Sequence, residues 1–326
     1  MDMGRQGIVI LGVFVADTAY RAARPPRMGE TIMGESFALG PGGKGSNQAV
    51  AAAMASGGAS GGASGGARGA AGGAVSFISR LGRDPFAEMA LATWAKAGVR
   101  PVVTQHDDSY TGAAYIFVEA ATGNNAIIIC PGVARMISEA DVEAQADLIG
   151  GAAVFVTQLE QPMGAALRGL QLARAGGART ILNPAPAAAL PDGMLALCDI
   201  VTPNESEAEA LTGLPVTSVA EAEAAARALR AMGAGAVVIT LGEKGALYHD
   251  GAQTVHVPAI SAGPVVETTG AGDAFNGGFA VALAEGMDPI AALRFGAATA
   301  GISVTRPGTA PSMPARAEID ALLARG

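Results

Sequence analysis

Short uninterrupted apolar runs alternate along this chain with segments in which apolar residues recur every three or four positions. Uninterrupted runs of this length are typical of strands that are buried on both faces of a sheet. They occur at residues 7–15, 74–79, 152–156, 179–182, 199–202 and 236–241. Helical spacing follows most of them, at 85–97, 138–149, 162–175 and 219–232. This order predicts an α/β fold with a mostly parallel central sheet and helices on both faces.

Three segments depart from that alternation. Residues 18–39 and 110–129 mix polar and apolar positions without helical spacing, which predicts extended chain outside the main sheet. Residues 56–73 are built almost wholly from Gly, Ala and Ser and cannot form a core, so we expect a flexible surface loop there. A length of 326 residues suits a single domain, 1–326, with these segments as appendages.

Composition narrows the class of partner. The net charge of −8 disfavours nucleic acid and anionic membrane surfaces, which require a basic face. The apolar run at 7–16 reads as a buried strand rather than a signal peptide, and no run approaches the roughly 20 residues of a membrane span. We therefore expect a cytoplasmic protein, in which Cys130 and Cys198 are reduced core thiols.

Residues 267–279 join a turn of small residues to a predicted helix and place one carboxylate, Asp273, at the junction. The turn Gly270-Ala271-Gly272 carries almost no side-chain bulk, so its backbone can approach a ligand closely. The first N–H groups of a helix lack internal partners and bind anions well. The segment therefore suits phosphoryl transfer, with Asp273 as the proton acceptor.

A second glycine turn, Gly40-Pro41-Gly42-Gly43-Lys44-Gly45-Ser46-Asn47-Gln48, opens the alanine-rich stretch at 49–55. It is not a Walker P-loop, because Gly45 separates Lys44 from Ser46, and it does not have the Rossmann G-x-G-x-x-G spacing.

Together the two glycine segments resemble the ribokinase family of ATP-dependent sugar kinases, from about Ile8 to the C-terminus. Three further runs agree with that family in order: Leu182-Asn183-Pro184-Ala185-Pro186, the N-x-x-E element Asn204-Glu205-Ser206-Glu207, and Thr240-Leu241-Gly242. The resemblance implies a ribokinase-like fold in which segments 18–39 and 110–129 form a small β lid over the sugar. It also implies a homodimer that pairs through the lids.

The resemblance assigns roles to individual residues. Asp273 corresponds to the family's catalytic base, and the N–H groups of Gly270, Ala271 and Gly272 to its anion hole. The positions that hold the sugar are Asp17, Gly43, Lys44, Asn47 and Glu160, with Lys44 also able to neutralise phosphate charge. Those that hold the nucleotide are Asn204, Thr240, Gly242 and Gly272.

Metal positions follow from the same resemblance. Asn204 and Glu207 correspond to the element that holds Mg²⁺ through water beside the phosphates of ATP. The ligands implied for an activating K⁺ are Glu267, Thr269, Ser303, Gly308 and Ser312. Glu267 departs from the family, which commonly has an aspartate there. So does Val15, which stands where ribokinases usually carry an asparagine that contacts the sugar.

The expected activity is transfer of the γ-phosphoryl group of ATP to a primary hydroxyl of a pentose, with D-ribose as the leading substrate. Val15 keeps open a fructose or nucleoside kinase of the same fold. A sugar- or nucleotide-binding regulator without catalysis is the alternative from another class, and the intact Asp273 and its anion loop argue against it.

Overall fold

A computed structural model describes residues 7–58 and 73–325 of the chain. Its strands are β1 (Ile8–Leu11), β2 (Val15–Ala22), β3 (Ser36–Gly42), β4 (Val75–Gly82), β5 (Arg100–His106), β6 (Thr111–Glu119), β7 (Asn125–Gly132), β8 (Val154–Thr157), β9 (Arg179–Leu182), β10 (Ile200–Val201), β11 (Ala236–Thr240), β12 (Ala246–His249) and β13 (Thr254–Val257). Its α-helices are α1 (Lys44–Ala55), α2 (Pro85–Ala97), α3 (Glu139–Glu143), α4 (Ala146–Gly151), α5 (Met163–Gly176), α6 (Glu205–Thr212), α7 (Val219–Ala231), α8 (Ala271–Ala284), α9 (Pro289–Ser303) and α10 (Arg316–Leu323).

A nine-stranded sheet in the order β13-β12-β11-β10-β9-β8-β1-β4-β5 forms the centre of the molecule. The strands from β11 to β5 pair in parallel, and β12 and β13 add an antiparallel edge. The predicted mostly parallel α/β sheet is therefore confirmed. Ligands in such sheets bind at the carboxyl ends of the strands.

Alternate residues of the central strands pack into two different cores, one on each face of the sheet. Ile8 and Ile10 of β1 belong to the core formed with α1, α2, α8, α9 and α10. Val9 and Leu11 belong to the opposite core, formed with α3 to α7. Helices thus cover both faces, which explains why the central strands read as continuous apolar runs.

A separate sheet of four strands, in the order β3-β2-β6-β7, arises from the segments that lacked helical spacing. We call it the lid sheet. Its pairing registers place Tyr20, Phe37, Leu39, Tyr115 and Ile128 on one face, where all five are exposed. Asp17 lies on the opposite face, since the side chains of neighbouring residues in a strand alternate.

Several sequence expectations were wrong in detail. The run at 7–15 is not one strand, because β1 ends at Leu11 and Val15 already pairs with Gly42 in the lid sheet. Residues 138–149 form two short helices, α3 and α4, instead of one. Cys198 is buried as expected, but Cys130 is exposed on β7.

The expected loop at 56–73 falls largely on residues 59–72, which lie outside the described residues. Within 7–58 and 73–325, the helices are all too short or too polar to cross a membrane.

Candidate active site

The N-terminus of α8 forms the centre of the site. Gly270 caps the helix with φ +79°, a left-handed conformation that glycine adopts without strain, and Asp273 follows in the first turn. The Asp273 side chain is buried. A Cβ atom added to Gly272 would meet no protein atom within 4 Å, so the first turn borders open space next to Asp273. The unpaired N–H groups of a helix start can receive an anion in such a space.

The N-terminus of α1 lies against the Asp273 carboxylate. Gly43 caps α1 with φ +86°, and a Cβ there would lie 2.5 Å from the carbonyl oxygen of Val13, so only glycine fits. The first turns of α1 then direct two amides at Asp273. The Nδ2 of Asn47 donates to Oδ2 at 3.1 Å, and the Nε2 of Gln48 donates to Oδ1 at 3.0 Å.

Asp17 and Glu160 supply two more carboxylates near this point. The backbone N–H of Lys44 donates to Oε2 of Glu160 at 2.7 Å. Asp17 packs over the glycine turn, because a Cβ on Gly42 would lie 2.2 Å from its Oδ2. The structure therefore brings the sugar-side residues predicted from the sequence to the junction of the lid sheet with α1.

Burial dominates the electrostatics of these acids. Loss of solvation raises the pKa of Asp17 to about 6 and that of Glu160 to about 7. The pKa of Asp273 is also raised by burial, while Lys44 and the amides of Gln48 and Asn47 oppose that rise. Burial alone would lower the pKa of Lys44, but nearby carboxylates, Asp273 first among them, raise it above its ordinary value.

Three of the four predicted nucleotide residues, Asn204, Thr240 and Gly272, line a cavity of about 150 Å³, and Gly242 is not part of its lining. Its lining includes the side chains or backbone of Lys44, Asn204, Glu207, Thr240, Gly270, Gly272 and Asp273. Gly242 follows β11 with φ +54° and starts a turn of 3-10 helix. The cavity therefore joins the predicted phosphate site to the predicted nucleotide loop.

Asn204 and Glu207 form a capping box at the start of α6. Glu207 N–H donates to Oδ1 of Asn204 at 2.8 Å, and Asn204 N–H donates to Oε2 of Glu207 at 2.9 Å. The capping box uses Oε2 of Glu207, and the residue also lines the cavity. Burial raises the pKa of this carboxyl group.

The donor set fits a hydrated Mg²⁺. No cluster of three His, Cys, Asp or Glu side chains that could enclose a metal occurs in residues 7–58 and 73–325. Mg²⁺ keeps much of its water and is commonly held by one or two carboxylates plus phosphate oxygens. A single carboxylate on the cavity wall fits this coordination better than a site enclosed by several protein ligands would.

Of the residues expected to bind a monovalent cation, Glu267 and Gly308 are in direct contact. Oε2 of Glu267 accepts the N–H of Gly308 at 2.8 Å, and the hydroxyls of Ser303 and Ser312 donate to the carbonyls of Ala300 and Thr309. The ligands that the resemblance implies are the Glu267 carboxylate, the carbonyls of Thr269, Ser303 and Gly308, and Ser312, all of them oxygen groups that suit K⁺. Their role, including that of Thr269, stays a prediction.

Sequence reasoning missed a group of buried amides behind Asp273. Gln48, Gln158 and Asn183 are linked by hydrogen bonds and come from α1, the loop after β8 and the loop after β9. Asn183 stood in a run that carried the resemblance, but it received no role. Nothing in the local sequence marks Gln158, since its partner lies 110 positions away.

Comparison with known proteins places this geometry in a family. The model of the pfkB family of carbohydrate kinases matches residues 6–316. The chain belongs to this family. It is an ATP-dependent carbohydrate kinase by that membership, as the resemblance predicted.

Individual relatives match nearly end to end. A ribokinase of Haemophilus influenzae is 35% identical over 315 residues, which cover 96% of this chain and 97% of the relative. A deoxyribokinase of Salmonella typhi is 34% identical over 309 residues, or 94% and 95% of the two chains. The structure of Arabidopsis thaliana ribokinase complexed with ribose and ATP superposes with a TM-score of 0.87 at 29% identity, covering 98% of this chain and 99% of that one.

Proposed function

We propose that this protein transfers the γ-phosphoryl group of ATP to the primary hydroxyl of a pentose, with D-ribose as substrate and ribose 5-phosphate as product. The observation that carries the proposal is the buried Asp273 carboxylate at the open first turn of α8, where a proton acceptor and an anion site lie side by side. The ribokinases among the relatives support the choice of sugar.

Asp273 accepts the proton of the sugar hydroxyl as that oxygen attacks the γ-phosphorus. The bond from phosphorus to the bridging oxygen of ATP breaks, and ADP leaves with the electron pair. The N–H groups of Gly270 and Gly272 stabilise the charge on the transferring group. The N–H of Ala271, the third predicted donor, donates to the carbonyl of Thr268 at 3.1 Å in this structure and would have to leave that bond to take part. Lys44, held in the cleft by its backbone bond to Glu160, adds a positive charge on the same wall.

The sugar lies between the lid sheet and α1. Asp17, Asn47 and Glu160 have the carboxylate and amide groups that accept hydrogen bonds from sugar hydroxyls, and Gly43 lets the chain approach closely. The amide of Asn47 is already oriented by its bond to Asp273. Sugar binding and base positioning therefore share one residue.

The phosphates of ATP enter the cavity beside Asp273, along Asn204, Thr240 and Gly272, and Gly242 lies beyond its lining in the turn after β11. Mg²⁺ held through water by Glu207 would neutralise phosphate charge. The oxygen set of Glu267, Thr269, Ser303, Gly308 and Ser312 would hold a potassium ion behind the anion loop. Because ATP is the donor, we place the reaction in the cytoplasm.

A second candidate substrate is 2-deoxy-D-ribose. Val15 lies two positions before Asp17 on the same face of β2 and is buried. An apolar side chain there offers no partner to a sugar hydroxyl. The deoxyribokinase of Salmonella typhi among the relatives favours this substrate over fructose or a nucleoside.

Asp273→Asn tests the assignment of the base. Loss of a general base typically lowers kcat about 10²–10⁴-fold, and the amide keeps the shape of the carboxylate, so ATP affinity should change little. The measurement is sugar-dependent ADP release over a panel of pentoses, fructose and nucleosides, with ATP binding followed by calorimetry. A variant that retains more than a tenth of wild-type kcat would contradict the role of Asp273. A wild-type protein that binds sugar and ATP without turnover would instead be a regulator.

We also propose a homodimer that pairs through the exposed apolar face of the lid sheet. Tyr20 is central to this face, with its ring centroid 5.0 Å from that of Phe37 and 5.4 Å from that of Tyr115. Exposed contiguous apolar surface of this kind marks interaction sites in soluble proteins.

A further inference from the structure

Three buried amides form a continuous chain behind the catalytic carboxylate. Gln48 and Gln158 have no exposed surface, and Asn183 is nearly buried. The Nε2 of Gln48 donates both to Oδ1 of Asp273 at 3.0 Å and to Oδ1 of Asn183 at 3.1 Å. The Nε2 of Gln158 donates to Oε1 of Gln48 at 2.6 Å. Each end of the Gln48 amide is thus in contact with a partner.

Neighbouring groups fix the direction of the Asn183 and Gln48 amides, whereas Oε1 of Gln158 has no hydrogen-bond partner within the described part of the chain. The Nδ2 of Asn183 donates to the carbonyl of Thr202 at 2.8 Å, and a carbonyl can only accept. The Oδ1 of Asn183 must therefore face Gln48, and the Nε2 of Gln48 must donate the hydrogen bond between them. A flipped Gln48 would set its oxygen against the Asp273 carboxylate and its nitrogen against the Gln158 donor. Both contacts would be repulsive, and buried polar groups without partners are costly.

We propose that Gln48 is a positioning residue for the phosphoryl transfer, locked by Gln158 and Asn183 so that it presents only a donor to Asp273. The bond favours the ionised carboxylate and fixes the rotation of its two oxygens. With Asn47 holding Oδ2 from the other side, the carboxylate can turn only by breaking a buried bond. This inference rests on the proposed function, in which Asp273 is the base.

The surroundings of Asp273 make such support necessary. The charged groups that face it across the cleft are Lys44 of α1, Glu160 after β8 and Glu207 of α6. Two of these three are carboxylates, and burial also disfavours the ionised form of Asp273. Lys44 and the two amides are the groups that counter this pressure. Removing the Gln48 donor should therefore make Asp273 harder to ionise.

Gln48→Met tests the inference, because methionine has a similar length and volume but no donor. Hydrogen bonds to charged groups are strong enough that the acid limb of the kcat profile should move up by about one to two pH units. On the acid limb, kcat of the variant should be about tenfold or more below wild type at the same pH, and the defect should shrink on the plateau above the limb. KM values for sugar and ATP should stay within about threefold of wild type, a split that a general loss of structure would not give.

Gln158→Met is the second variant, and it leaves Gln48 in place. Freeing Oε1 of Gln48 removes the lock on its amide, so the acid limb should move in the same direction by a smaller amount. Gln161→Met is the matched control. Gln161 is also a buried glutamine, but its amide bonds to Thr157 and to the Gln158 carbonyl rather than toward Asp273, so the limb should stay in place.

An acid limb that is the same in wild type, Gln48→Met and Gln158→Met would overturn the inference. If Gln48→Met does not fold, the Gln158→Met profile decides it alone. The proposed function fails separately, since it requires that the wild type release ADP in the presence of a sugar and that Asp273→Asn abolish this. Sound wild-type turnover with unmoved profiles in the amide variants would remove only the role of Gln48.

Discussion

At the residue scale, the chemistry depends on which groups meet Asp273, and only part of that set is readable from the sequence. Asp273 could be found because a glycine turn and a helix start surround it within a few positions. Asn47 lies in a glycine segment for a similar reason. Gln48 and Gln158 have no such local setting, because they form hydrogen bonds with side chains 135 and 110 positions away. A local pattern can locate a candidate base, but not the buried amides that donate hydrogen bonds to it.

Val15 provides a test of substrate choice at the same scale. A sugar hydroxyl that loses water and finds no partner costs about 1–3 kcal/mol, roughly 5–150-fold in affinity for the transition state. We expect wild-type enzyme to use 2-deoxy-D-ribose about as well as D-ribose, its proposed substrate, measured as kcat/KM on both sugars. Val15→Asn should shift the ratio toward D-ribose.

Val15→Ala is the matched control for that experiment, because it changes volume without adding a polar group and should leave the ratio near its wild-type value. The opposite finding would be a wild-type enzyme that prefers D-ribose with a micromolar KM and a Val15→Asn variant no better on it. Val15 would then not face the sugar.

At the scale of elements, the two functional helices were recognised from their glycine starts, whereas the ends of other elements were not. The sequence placed Asp273 at the junction of turn and helix, but the helix begins at Ala271, so Gly272 and Asp273 both lie in its first turn. The run at 7–15 looked like one strand because its apolar residues continue without a break. In the structure it passes from one sheet to another at Gly12, where a Cβ would lie 2.7 Å from the Cα of Gly45. Apolar content alone does not record such a change of partner.

Gly272→Ala separates the contribution of the first turn of α8 to stability from its proposed role in binding the phosphoryl group. Alanine is favoured over glycine in a helix by about 0.5–1 kcal/mol, and its methyl group would meet no protein atom. The melting temperature should therefore stay level or rise by about 1–2 °C. Because the methyl group would enter the space that we assign to the phosphoryl group, kcat should fall about 100-fold.

Gly270→Ala should instead lower the stability of the fold. At φ +79° an alanine costs about 1–2 kcal/mol, and its Cβ would press on Thr309 at 3.3 Å, so the melting temperature should drop. Gly286→Ala, at φ +81° beyond the other end of α8 and without neighbours within 4 Å, is the control for backbone strain alone and should keep full kcat. A Gly272→Ala enzyme with wild-type kcat would show that this space does not receive the phosphoryl group.

At the scale of the whole molecule, the lid sheet exposes more apolar surface than is usual for a monomer. Its face opposite Asp17 exposes Tyr20 by 43%, Phe37 by 58% and Ile128 by 63%, although apolar side chains of this size are usually buried. Cys130 pairs with Ala113 and so lies on the same face, which explains why a residue expected in the core is found outside it. The sequence pattern of 18–39 and 110–129 correctly predicted extended chain outside the main sheet. It does not show whether their apolar side chains pack within the same molecule or against a second one.

Ile128→Asp tests whether a second copy of the chain covers this face. A buried, unpaired carboxylate would strongly oppose pairing, so sedimentation at micromolar concentrations should show a dimer for wild type and a monomer for the variant. The lid sheet would lose its support in the monomer, and since Asp17 lies on its other face, KM for the sugar should rise by about tenfold or more while ATP binding stays near wild type. Met232→Asp places the same charge on an exposed apolar residue after α7, outside the lid sheet, and should leave both mass and KM unchanged. A monomeric wild type with normal sugar affinity would show that the lid sheet works without a partner, and its apolar face would then need another explanation.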